Sequence, residues 1–230
     1  MKIVFFSDIH GNIYSFNEFI KDIQELNVDK VVFCGDVFGY YYYPNEIYTY
    51  IREHNWSCIL GNHDKMLLDV INGTLDNTKL VDKYGSIYKH PADIIDPKNF
   101  DFLRNLPVKY EFIVDNIKFG VFHGTPDNAI DGRLYPSDEI INYEDYCIYN
   151  YVILGHTHHK LIKHINGTTI INPGSLGQQR DGKGCSYLIF DTVKNQFQFK
   201  IVDYDPTQLI IDIGKKDNGN PQFIEVLNRK

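Results

Sequence analysis

The sequence predicts an α/β fold with two β-sheets and helices packed outside them. Three observations carry this expectation. Up to Leu60, short apolar runs alternate with amphipathic helical segments, the pattern of a βαβαβ unit with parallel strands. From Lys109 onward the chain is rich in strand signals and hairpin turns. The apolar runs also end, one after another, in a glycine beside an aspartate, asparagine or histidine.

Taken in order, Lys2–Phe6 is the first apolar run. Ile13–Leu26 follows with Phe16, Phe19, Ile20, Ile23 and Leu26 on one helical face. Lys30–Cys34 is the next buried run. Pro44–His54 reads as a helix, with proline at its start and Ile47, Tyr50 and Ile51 on one face. Ser57–Leu60 is the third run. The middle is mainly helical, over Lys65–Ile71, Leu80–Tyr88 and a segment capped by Asp96-Pro97 that runs to Asn105. Lys109–Asp115 and Ile117–His123 form a hairpin about Asp115-Asn116, and Ser137–Cys147 is expected to be helical. Short strands follow over Tyr151–Leu154, Leu161–Ile165, Thr168–Ile171, Cys185–Asp191 and Gln196–Asp203, with Asn166-Gly167 as a hairpin turn. A terminal helix is expected over Pro206–Ile213. No repeat, linker or low-complexity break divides the chain, so residues 1–230 are read as a single domain.

Composition narrows the function. The chain has 230 residues, 43% of them hydrophobic, which is enough for a sizeable core. The formal net charge is -7 and no Lys/Arg-rich block appears, so a sequence-blind grip on nucleic acid is not expected. No apolar run approaches the roughly 20 residues that span a bilayer. The N-terminus enters a strand at once and lacks the features of a signal peptide. Cys34, Cys58, Cys147 and Cys185 show no Cys-x-x-Cys spacing and read as reduced thiols, which places the chain in the cytoplasm. The 17 tyrosines and 15 phenylalanines leave association into a homo-oligomer open.

The strand ends carry the chemistry. Lys2–Phe6 leads into Asp8 and His10, Lys30–Cys34 into Gly35-Asp36, and Ser57–Leu60 into Gly61-Asn62-His63-Asp64. Ile117–Phe122 leads into His123-Gly124, and Tyr151–Leu154 into Gly155-His156-Thr157-His158. In open α/β sheets ligands bind at the carboxyl ends of the strands. Mixed oxygen and imidazole donors without a thiolate suit divalent Mn, Fe, Co, Ni or Zn. Seven donors exceed the needs of one tetrahedral ion and suit two ions sharing a bridging carboxylate.

The ordered set Asp8-x-His10, Gly35-Asp36, Gly61-Asn62-His63-Asp64, His123-Gly124 and Gly155-His156-Thr157-His158 resembles the calcineurin-like metallophosphoesterase superfamily. Gly35-Asp-Val-Phe-Gly-Tyr, Tyr43-Pro-Asn-Glu-Ile and Asn172-Pro-Gly-Ser-Leu-Gly-Gln-Gln-Arg180 resemble its small bacterial and archaeal phosphodiesterase branch. The resemblance implies a four-layer α/β/β/α sandwich of two mixed sheets. It implies that Asp8, His10 and His158 hold one divalent ion, that Asn62, His123 and His156 hold a second, and that Asp36 bridges them. His63 then faces the leaving-group oxygen, as general acid or to stabilise charge there, with Asp64 orienting it. His159 is left over, and His54, His90 and His164 read as structural.

The implied activity is hydrolysis of phosphodiester or phosphoanhydride bonds in small molecules, such as nucleotides and dinucleoside polyphosphates, by in-line attack of a metal-bridging hydroxide. A phosphomonoesterase or protein phosphatase, a nuclease and a non-catalytic scaffold of the same fold are the alternatives. The protein phosphatases of the superfamily continue the second motif through Asp-Arg-Gly, and this chain does not. Arg180 is expected at the substrate phosphate and Tyr40 beside a nucleobase, while Tyr40–Tyr43 is otherwise packing for the next helix. Arg133 and Tyr135 are further pocket candidates. The turn Asn172-Pro-Gly-Ser-Leu-Gly reads either as an ordinary loop or as an anion-binding nest.

Overall fold

The computed structural model describes residues 1–141 and 143–229. Its core is a pair of five-stranded sheets. The first contains β1 (Lys2–Phe6), β2 (Lys30–Phe33), β3 (Ser57–Cys58), β9 (Ser186–Asp191) and β10 (Gln196–Ile201), in the order β10-β9-β1-β2-β3. β1, β2 and β3 are parallel, and β9 and β10 extend the sheet antiparallel. The second contains β4 (Lys109–Val114), β5 (Ile117–Phe122), β6 (Tyr151–Ile153), β7 (Lys160–Ile165) and β8 (Thr168–Pro173), in the order β4-β5-β6-β8-β7. Here β5, β6 and β8 are parallel, with an antiparallel strand at each edge.

The period-2 pleat explains why the strands are apolar throughout. Ile3 and Phe5 point between the sheets, where they meet Val32, Phe119, Val121 and Ile153. Val4 and Phe6 point outward under α1 (Ile13–Glu25) and α2 (Pro44–Glu53), against Phe16, Phe19 and Ile47. Each parallel strand is therefore buried on both faces.

α3 (Asn62–Ile71) begins three residues before the expected Lys65, so Asn62, His63 and Asp64 form its first turn. The expected helix over Leu80–Tyr88 is two pieces, α4 (Thr78–Tyr84) and a 3-10 turn Ser86–Tyr88, parted at Gly85 with φ +90. α5 (Pro97–Arg104) has Asp96 as its N-cap, accepting from the Asn99 N–H. The outer face of the second sheet departs from expectation. Among the described residues, Ser137–Cys147 holds only a 3-10 turn, Tyr143–Asp145 (Asn142 lies outside them). Leu134, Tyr146 and Tyr149 cover this sheet with the partly buried Ala129 and Ile140, and Ile141 is 85% exposed, so the segment offers no continuous helical apolar face to bury.

The C-terminus carries α6 (Thr207–Lys216) and a further helix, α7 (Pro221–Asn228). α6 overlaps the expected Pro206–Ile213, whereas α7 was not anticipated. Its mark in the sequence is Asn220-Pro221, an N-cap followed by proline. Leu209, Ile213 and Phe223 pack on Tyr41 and Tyr42. The tyrosine run is thus chiefly the seat of the C-terminal helices. The four cysteines are unpaired thiols. Among the described residues no helix is long and apolar enough to cross a membrane.

Candidate active site

The carboxyl ends of β1, β2, β3, β5 and β6 open onto one cleft between the sheets' edges. Asp8 and His10 follow β1, Asp36 follows β2, Asn62 starts α3 after β3, His123 follows β5, and His156 and His158 follow β6. Five of these side chains leave a left-handed backbone: Asp8 (φ 55), His10 (51), Asp36 (69), His156 (67) and His158 (59). Such a conformation is unfavourable for residues with a Cβ and collects at functional sites. Here it turns side chains from successive loops back onto one point.

The donors meet at short range. His158 Nε2 is 3.3 Å from Asp8 Oδ1, and His10 Nε2 is 3.1 Å from His158 Nε2. His123 Nε2 is 3.2 Å from Asp36 Oδ2 and 3.0 Å from Asn62 Oδ1. His156 Nδ1 lies 2.8 Å from the same Asn62 oxygen. Three imidazoles are oriented by backbone carbonyls on their outer nitrogen: His10 Nδ1 by Phe38 O (2.8 Å), His123 Nδ1 by Cys34 O (2.8 Å) and His158 Nδ1 by Gln178 O (2.5 Å). That holds each Nδ1–H outward and turns each Nε2 inward. His156 is held the other way, with Arg133 Nε donating to its Nε2 at 2.9 Å.

Two oxygens in this cluster, Asp8 Oδ1 and Asp36 Oδ2, are buried without a hydrogen-bond partner. An isolated buried carboxylate oxygen is costly unless a cation meets it. The candidate ligand atoms of Asp8, His10 and His158 lie within 4.8 Å of one another, as do those of Asp8, Asp36 and His123 and those of His10, Asp36 and His63. The donor set fits divalent cations. The charges agree. Burial works to raise Asp8, but His158, His123 and His10 hold it well below the usual carboxylate range. Asp36 is pushed up to about 7 by burial, with Asp64 and Asp8 adding to the effect of burial and His123 opposing it. His123 is pushed up to about 10, because Asp36 and Asp8 outweigh its burial. His156 is pushed down to about 3 by burial and by His123. Burial raises the neighbouring Cys34 thiol well above its usual value, which agrees with a site free of thiolate.

His63 lies beside the cluster with its ring in the cleft. Its backbone N–H holds Asp36 Oδ1 at 2.8 Å. The expectation that Asp64 orients its ring needs correction. His63 Nδ1 meets the hydroxyl of Tyr88 at 2.9 Å, whereas Asp64 accepts from the backbone of Asp36, Val37, Phe38 and Gly61 and from Tyr48. Successive residues on a helix point about 100° apart, so Asp64 and His63 cannot face each other. His159 turns out of the cluster, with Nδ1 on Thr157 O. His54 stacks on Tyr50, and His164 bonds Thr169.

The cleft beside the donors encloses about 250 Å³ and is rimmed by Tyr40, Tyr84, Tyr135, Lys83, Arg133 and Arg180. Arg180 donates to Tyr40 Oη and Gln178 Oε1, both at 2.9 Å, so these side chains form one fixed wall. Among the described residues none of the three cations is paired with a carboxylate. The Asn172–Gly177 turn is not an anion nest. The Leu176 and Gly177 N–H groups donate to Ser7 O and Asp8 O, and Gly174 N–H donates to Asn172 Oδ1. The turn buttresses the Asp8 loop instead.

Comparison with known proteins agrees with this geometry. The model of the calcineurin-like phosphoesterase superfamily domain matches residues 1–195. An uncharacterized protein of Methanocaldococcus jannaschii is 30% identical over 223 residues, 88% of this chain and 88% of that protein. The crystal structure of a metallophosphoesterase from Sphaerobacter thermophilus superposes with a TM-score of 0.82 at 24% identity, covering 100% of this chain and 99% of that one. A hypothetical protein from Pyrococcus horikoshii superposes with a TM-score of 0.80 at 19% identity, covering 98% and 97%. The family match runs through every strand end that supplies a donor, and on that ground the chain belongs to the calcineurin-like phosphoesterase superfamily and is a metal-dependent phosphoesterase.

Proposed function

We propose that the chain hydrolyses phosphodiester or phosphoanhydride bonds of small phosphorylated molecules, nucleotides among them, at a two-metal centre. Asp8, His10 and His158 would hold one ion and Asn62, His123 and His156 the other, with Asp36 shared between the two sets. The carrying observation is the pair of unpartnered buried carboxylate oxygens, Asp8 Oδ1 and Asp36 Oδ2, among inward-facing imidazoles. Bound there, two divalent ions supply Lewis acidity and activate a water near neutral pH. The absence of thiolate donors supports Mn, Fe, Co, Ni or Zn.

The chain's own groups do the rest. Arg180, held by Tyr40 and Gln178, and the other rim cations Lys83 and Arg133 offer positive charge to the phosphate oxygens. Such preorganised charge stabilises a phosphoryl group as negative charge builds on it. His63, after taking a proton at Nε2 from cleft water to become an imidazolium, gives that proton to the leaving oxygen, which keeps the electron pair of the broken P–O bond. Tyr40 and Tyr84 offer aromatic surface to a base or other flat group. A cleft of about 250 Å³ suits a small substrate better than a folded phosphoprotein.

The test is metal-free protein reloaded with Mn, Ni or Zn and assayed in parallel on bis(p-nitrophenyl) phosphate and p-nitrophenyl phosphate, with Asp36→Asn as control. Faster cleavage of the diester and an inactive control are expected. Faster cleavage of the monoester would turn the reading to a phosphomonoesterase. Full activity of Asp36→Asn would end the bridged two-metal assignment.

A further inference from the structure

His63 has a phenol, and no carboxylate, on its outer nitrogen. The Tyr88 hydroxyl lies 2.9 Å from His63 Nδ1 and 3.4 Å from the His63 carbonyl oxygen. Both residues are buried. Asp64 is committed to four backbone N–H groups and Tyr48. On the remaining side stands Gly39, whose φ is +98 and where a Cβ would come within 2.5 Å of His63 Nδ1. No other side chain can be built from that position against the ring, so the phenol is its tether.

We infer that Tyr88 is the positioning residue for His63, a role that rests on the hydrolase reading above. With Nδ1–H donating to the phenol oxygen and the phenol O–H donating to the His63 carbonyl, the proton on Nδ1 stays in place. Nε2, the other ring nitrogen, is then the one that takes up a proton, making the ring an imidazolium, and hands it to the leaving oxygen. A phenol serves because it accepts and donates through one oxygen, whereas an ionised carboxylate only accepts. Burial and the Asp36 and Asp64 carboxylates raise the phenol well above its usual value and keep that O–H in place.

Tyr88 is itself anchored. It ends the 3-10 turn whose first residue, Ser86, donates through N–H and Oγ to Asp217 at 2.6 and 3.0 Å. Its carbonyl accepts from Asn77 Nδ2 at 2.8 Å, and its ring stands edge-on to Phe38 with centroids 5.0 Å apart.

The experiment compares wild type, Tyr88→Phe, His63→Asn and the double variant, each reloaded with Mn and checked for metal content. The substrates are bis(p-nitrophenyl) phosphate and a diester with a poorer phenol leaving group. Tyr88→Phe is expected to lower kcat about ten- to a hundredfold, with KM and metal content near wild type. The loss should be larger for the poorer leaving group, and Tyr88→Phe should lose nothing further in the His63→Asn background. Unchanged kcat, or an equal loss with and without His63, overturns the proposal while leaving the hydrolase reading intact. A wild type inactive on both esters with every ion overturns the hydrolase reading and the proposal with it. Should Tyr88→Phe fail to fold, ¹⁵N NMR of zinc-loaded wild type, with the His63 signals assigned by His63→Asn, decides. A neutral ring protonated on Nδ1 supports the tether, and one protonated on Nε2 with a bare Nδ1 overturns it.

Discussion

Asp64 gathers four backbone N–H groups and the Tyr48 hydroxyl onto one carboxylate. Three of those N–H groups belong to Asp36, Val37 and Phe38, so this residue shapes the loop that presents the Asp36 carboxylate. Asp64→Ala would leave these donors buried and unsatisfied, and we expect it to destabilise the metal-free protein by about 3 kcal/mol or more in urea unfolding. Gly61 acts on the same loop sterically. A Cβ there would fall 2.0 Å from Asp36 Oδ1 and 2.4 Å from Asp36 N, although φ is an ordinary -92. Gly61→Ala should therefore fold and yet lose metal, read as fewer ions per chain by elemental analysis. A fully loaded Gly61→Ala would show that the Asp36 loop yields. The donor residues were legible in the sequence because each is local to a strand end, and all but Asp8 and His158 stand beside a glycine. Tyr88 was not, since it lies 25 residues from His63 in sequence and carries no motif.

At the scale of elements, helices with a one-sided apolar face were readable to within a residue or two, as α1 and α2 illustrate. Ser137–Cys147 was misread because its apolar residues serve the sheet singly, from an irregular strap, and Ile141 faces solvent. The Tyr40–Tyr43 run was open to two readings because an aromatic serves a core and a ligand equally well. α7 settles most of it. Phe223 packs edge-on to Tyr40 and Tyr41, with centroids 5.6 and 6.3 Å away, and is 2% exposed. Phe223→Ala is expected to cost about 3–5 kcal/mol in urea unfolding. A change below about 1 kcal/mol would mean that α7 is loosely seated. Tyr40 alone also reaches the cleft, through Arg180 and an edge contact with His10 at 4.9 Å.

At the scale of the molecule, the site joins two sheets, and its buried charges link folding to pH. Burial and neighbouring cations lower the folded-state values of His10, His63, His156 and His158, so the unfolded chain binds protons there that the folded chain does not. Their contribution is present near neutrality and is lost as pH falls below about 6.5. Asp36 and His123 are raised, so theirs is present at low pH and is lost as pH rises through about 7 and about 10. Four lowered imidazoles outweigh one raised carboxylate on the acid side. The metal-free protein should therefore be most stable near neutral pH and decline in both directions, as thermal melts in chelator will show. Divalent metal held by Asp36 and His123 would displace the protons those groups carry. The rise in Tm on adding Mn should accordingly grow from about pH 6 to pH 8. A rise that is independent of pH would contradict the ligand roles of those two residues.

The strand–helix alternation, the glycine-flanked donors and the absence of thiolate among them are properties of nearest neighbours along the chain. Periodicity and residue chemistry express these directly, so the α/β class and the residues that converge in the cleft could be read without coordinates. Which group holds the His63 ring, what covers the tyrosines, and where the N–H groups of the Asn172–Gly177 turn point depend on segments distant in sequence. Tyr88, Phe223 and the Asp8 loop reach those places through packing of the assembled sheets, and contacts between segments so far apart leave no periodic trace in the order of the residues.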